Sequence, residues 1–70
     1  MTISRQFPYC LNWLGRDEGE IYFEPSYKDF KTIGEALRFI RELKTSAEET
    51  VDRYLYKHDG RRGFNFVNEY

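Results

Sequence analysis

Cysteine and histidine are almost missing from this sequence: Cys10 and His58 are the only ones in 70 residues. A single cysteine cannot close an intramolecular disulfide. One cysteine and one histidine cannot assemble a Cys/His zinc site either. No apolar run approaches the roughly 18 residues that would suggest a membrane span. Neither the Gly-x-Gly-x-x-Gly pattern nor the Walker pattern occurs, so no phosphate cradle is expected. Charge of one sign is lacking too. Eleven basic residues nearly balance twelve acidic ones, for a net charge of −1, which argues against a general polyanion binder and against an acidic nucleic-acid mimic. The first ten residues lack the basic-then-apolar layout of a secretory signal. An unpaired cysteine suits a reducing compartment, and the expected location is the cytoplasm.

Aromatic residues are plentiful: six Phe, six Tyr and one Trp. A chain of this length forms one domain, residues 1–70, and buries only roughly 60% of the surface its unfolded form exposes. Without disulfide or metal, dense apolar packing or self-association has to supply stability. Such a core holds about half of the aromatics, by the same limit on burial. The remainder, mostly tyrosines, must reach the surface, where Tyr and Trp are enriched at protein interfaces.

From Ile3 to Trp13 the odd positions read Ile, Arg, Phe, Tyr, Leu, Trp and the even ones Ser, Gln, Pro, Cys, Asn. This period-two alternation predicts a strand with one buried face, and Pro8 marks an edge or a bulge. A turn-rich loop, Gly15 to Gly19, leads to Glu20–Glu24, which alternates again with Ile21 and Phe23 on one face. The two runs read as a β-hairpin, ended by Pro25 and Ser26, with a connector from Tyr27 to Lys31. Thr32-Ile33-Gly34-Glu35 has capping-box spacing. A helix follows, with Ile33, Ala36, Leu37, Ile40 and Leu43 on one face and Phe39 beside it. Ser46 to Glu49 repeats the capping spacing, and Ala47, Val51, Tyr54, Leu55 and His58 share a helical face. Gly60 then stands as a terminator, so a second helix is favoured over a strand from Val51 to Tyr56. Residues 63 to 68 form a last strand. The expected fold class is α+β: a small antiparallel sheet, an N-terminal hairpin plus a C-terminal strand, covered on one face by one or two helices. The order is ββααβ, or ββαββ if the second helix is a strand instead.

Few residues offer chemistry. Cys10 sits mid-strand with no helix N-terminus near it in sequence to activate the thiol, so a structural role is expected, and the same holds for His58. Asp17, Glu18 and Glu20 lack the ligand register of a calcium loop and read as a solvated acidic loop. No catalytic residue, metal ligand or cofactor is predicted. Arg61-Arg62-Gly63-Phe64-Asn65-Phe66-Val67 is similar to the RNP signature of RNA-recognition domains. That resemblance implies Arg61 and Arg62 on phosphates, with Phe64 and Phe66 stacking on bases of a single strand. Asn65 stands where the family usually has Gly or Ala. A strand after a turn also reads Gly-Phe-x-Phe-Val when both rings are core, and burial of Phe64 and Phe66 is the expectation.

The sequence therefore predicts a non-enzymatic protein–protein interaction module. It would be an adaptor, accessory subunit or inhibitor of a larger protein or nucleoprotein assembly, of the kind met among phage and mobile-element accessory factors. The predicted contact residues are Tyr22, Tyr27 and Tyr56, with Arg38 and Arg41 on the outer face of the first helix. Single-stranded nucleic-acid binding through Arg61, Arg62, Phe64 and Phe66 is the alternative. A homodimer along an exposed edge strand is a third expectation.

Overall fold

The structure, a computed structural model, describes residues 7–59 and 63–70. Four strands and one helix follow in the order β1 (Tyr9–Arg16), β2 (Glu24–Phe30), α1 (Ile33–Thr45), β3 (Glu49–His58) and β4 (Phe64–Glu69). The sheet is antiparallel throughout, with strand order β2-β1-β3-β4. This is the α+β class in its ββαββ form.

Odd positions of β1 turn toward the helix, as the alternation predicts. Leu11 and Trp13 pack with Phe30, Leu55 and the helix residues Ala36, Ile40 and Leu43, while Tyr9, Phe39 and Tyr70 close the edges of this core. Helix α1 is capped as its sequence predicts. Thr32 Oγ1 accepts from the Glu35 backbone N–H at 3.2 Å, and Glu35 Oε1 accepts from the Lys31 N–H at 3.2 Å. The stripe is narrower than its spacing suggests, because Ile33 and Leu37 remain exposed at its margins.

Three elements differ from the sequence reading. The first strand, expected from Ile3 to Trp13, is observed at Tyr9–Arg16, and residues 3–6 of the expected strand lie outside the described residues. The second strand lies further along the chain, at Glu24–Phe30 rather than Glu20–Glu24. Residues 17–20 are used up by a turn, in which the Glu20 N–H donates to the Asp17 carbonyl at 3.0 Å and Gly19 takes φ 89°. Ile21, expected on a buried strand face, is 76% exposed. Pro25 does not end the strand, because β2 is an edge, where a missing N–H breaks no ladder. Gly15 belongs to β1 and not to the turn. It pairs with Glu24 and Thr50, and a side chain there would run into the Glu48 carboxylate and the Trp13 indole.

The second helix is absent and residues 49–58 form β3. Ser46 caps the end of α1 instead of starting another helix: its backbone N–H and its Oγ both donate to the Leu43 carbonyl, at 3.3 and 2.9 Å. Beyond it, Thr50, Val51, Tyr54 and Tyr56 are β-branched or aromatic and fit a pleated surface. Pro8 stands just before β1, its carbonyl accepting from the His58 N–H at 2.7 Å, so the proline occupies neither an edge strand nor a bulge.

Candidate interaction face

Among the described residues there is one helix, and it covers one face of the sheet. Helix α1 packs across β1, β2 and β3, and none of the described elements covers the opposite face, here called the open face. Cross-strand register defines what that face presents. One row across the strands runs Asp29, Cys10, Tyr56, Phe66; the next runs Tyr27, Asn12, Tyr54. Leu55 lies between Tyr54 and Tyr56 and is fully buried beneath the helix, so both tyrosines point the other way.

These side chains form one connected aromatic ridge. The Phe66 ring sits between Tyr54 and Tyr56, at centroid separations of 6.1 and 5.9 Å. Phe64 sits between Tyr56 and His58, at 6.4 and 5.4 Å. All four contacts are edge-to-face, the arrangement favoured by ring quadrupoles. Phe64 is 39% exposed, Phe66 57% and Tyr27 71%. The expectation that Phe64 and Phe66 are core therefore fails. Strand β4 has no buried residue at all, because the core ends at β3.

Two β-bulges shape this face. Between the pairs Asn12↔Tyr54 and Leu14↔Val51, β3 carries one residue more than β1, and Asp52 there takes a left-handed backbone, φ 54°. Between Leu55↔Asn68 and Tyr56↔Phe66 the extra residue falls on β4, at Val67. Asn68 Oδ1 accepts from the Glu69 N–H at 2.9 Å. A bulge and a self-capped N–H both blunt an edge against pairing with another strand. The face of β4 is thus more open to a partner than its edge.

Among the described residues, the electrostatics of this face are one-sided. Asp29, Asp52 and Glu69 lie on or beside the open face. Asp52, followed by Glu69, raises the Tyr54 phenol pKa above its ordinary value by charge repulsion, with lesser contributions from burial and Tyr56. The nearby basic residues turn to the helix side. Lys28 Nζ lies over Phe39 at 5.5 Å and Lys57 Nζ over Tyr9 at 5.7 Å. Arg53 Nη1 donates to Thr50 Oγ1 at 2.8 Å and its Nη2 to the Tyr70 carbonyl at 3.3 Å. Arg16, at the far end of β1, is held by Glu49 at 2.8 Å.

Cys10 is buried on this face, in the row between Asp29 and Tyr56. Burial pushes its thiol pKa up to about 12, helped by a hydrogen bond to Asp29 and by that carboxylate's charge. An activated cysteine needs the opposite shift. The thiol is a packing group.

The predicted contact residues do not come together as one set. Tyr27 and Tyr56 lie on the open face. Tyr22 is 79% exposed but stands in the β1–β2 loop. Arg38 and Arg41 are exposed on α1, on the other side of the sheet. Arg61 and Arg62 lie outside the described residues. Sequence reasoning missed Tyr54, whose helical phase with Val51 and Leu55 suggested burial. The signal was present in the alternation Tyr54, Tyr56, His58 on one side of Leu55. No protein-family model, curated protein or solved structure matches this chain.

Proposed function

We propose that the protein is a non-enzymatic protein–protein interaction module that binds through the open face of its sheet. The observation that carries this reading is the continuous ridge of Tyr54, Phe66, Tyr56, Phe64 and His58, with Phe64 and Phe66 exposed and the other three half-buried, on a face that none of the described elements covers. Aromatic side chains offer large, rigid contact area and dominate interface energetics. A chain that can bury only a small core gives up stability by leaving Phe64 and Phe66 in water, and burial against a partner recovers it. An adaptor, accessory subunit or inhibitor fits this reading.

One observation favours a second reading. Phe64 and Phe66 lie together on an open sheet face, as the RNP-like stretch implies for stacking on bases of a single strand. Among the described residues the charges weigh against it: Asp29, Asp52 and Glu69 lie on or beside this face, while Lys28, Arg53 and Lys57 turn away, and a phosphate backbone is drawn by the opposite pattern. Affinity capture on tagged protein from its host's lysate, with and without nuclease, separates the two. The protein-binding reading predicts a stoichiometric protein that survives nuclease. Material that vanishes with nuclease would transfer the function to Arg61, Arg62, Phe64 and Phe66.

A further inference from the structure

Beside the aromatic ridge, on the same face, lies a shallow groove of about 270 Å³. Trp13, Leu14 and Pro25 contribute to its mostly apolar lining, and Asn12, Asp52 and Tyr54 border it as well. We propose that this groove receives an arginine side chain from a basic protein segment, and that such a segment is the partner of the open face. The inference rests on that face being the contact surface and names the chemistry of what it contacts.

Three features select a guanidinium. The methylene stem of arginine lies readily along apolar surface such as Leu14 and Pro25. Its planar head pairs with a carboxylate and stacks on an aromatic face, which a lysine ammonium does less well. Asp52 and Tyr54 supply both elements at one position. The surrounding charge then favours a cation. Glu69 pairs directly with Tyr54 across β3 and β4, Asp29 lies in the adjacent row, and the basic side chains of β2 and β3 are engaged on the helix side. The raised Tyr54 pKa reports the same negative potential.

The bulge adds to this. Asp52 takes a left-handed backbone at φ 54°, a conformation that Asp and Asn adopt more readily than other residues with side chains. The bulge residue is also the acidic residue that lines the groove.

A random peptide library displayed on phage, selected on the immobilised full chain, tests the proposal. The selected peptides are then titrated against the wild type, Asp52→Asn and Phe66→Ala. Asn tolerates the left-handed backbone, so Asp52→Asn removes the charge and keeps the bulge, which an unchanged melting temperature verifies. The expected peptides carry arginine beside apolar residues. Their affinity falls about tenfold or more on Asp52→Asn, and replacing the peptide's arginine with alanine has a like effect. Peptides that need Phe66 but ignore Asp52→Asn, or contain no arginine, would overturn the arginine assignment and leave the open face as the binding surface. Peptides indifferent to both variants, or no enrichment at all, would count against both.

Discussion

Cys10 shows how a residue on the open face serves the fold. Its thiol is buried between Asp29 and Tyr56, and burial with the Asp29 carboxylate raises its pKa from 9.0 to about 12. The folded chain keeps the thiol proton at a pH where the unfolded chain releases it. Unfolding therefore becomes progressively easier as pH rises through the interval from about 9 to about 12, and the contribution is complete below that interval. Thermal unfolding of the wild type is expected to weaken across this window more steeply than that of Cys10→Ala. Parallel pH profiles would show that the thiol is not held neutral by the fold. At this scale the sequence was legible: a small structural cysteine mid-strand is what the alternation predicts. For Phe64 and Phe66 it was not, since a strand patterned Phe-x-Phe reads the same whether its ring face meets a core or a partner.

At the scale of elements, α1 was the most legible. Its capping box and apolar spacing are local signals, and the hydrogen bonds at Thr32 and Glu35 realise them. Strand β3 was obscured by an inverted pattern. On its helix side it carries Arg53, Leu55 and Lys57, of which Leu55 alone is buried, while Tyr54, Tyr56 and His58 occupy the open side. A strand whose aromatic face is the exposed one does not look like a core strand, so helical spacing won the sequence reading. Strand β2 was displaced because Pro25 looked like a terminator, and only its place at the sheet edge makes it harmless. The energetic weight of β3 rests on Leu55, fully buried against Leu11 and the helix. Leu55→Ala is expected to cost about 2–5 kcal/mol, a large share of the margin of a small domain. A urea titration checks this, and a loss below about 1 kcal/mol would contradict the packing described.

At the scale of the whole molecule, the described residues supply one helix for a four-stranded sheet. The helix covers the face of β1, β2 and β3 that carries Leu11, Trp13, Phe30 and Leu55, and no other described element lies across the opposite face. The fold class followed from the sequence, because two-layer packing is what short amphipathic elements allow. Which face stays open depended on whether residues 49–58 became helix or strand, and that is settled by tertiary pairing with β1. The ridge is then a property of the assembly of strands and of no single motif, which is why only two of the five residues predicted for protein contact lie on the open face, Tyr56 within the ridge and Tyr27 outside it.

The central claim is that this ridge binds a partner and does not hold the fold together. Phe66→Ala tests it most directly, with thermal unfolding and affinity for the captured partner measured on the same preparation. The account predicts a melting temperature close to that of the wild type, because more than half of Phe66 is already in water at 57% exposure, and an affinity weakened by about 1–2 kcal/mol or more. A variant that unfolds would make Phe66 part of the core. A variant that melts and binds like the wild type would remove the open face as the site of interaction.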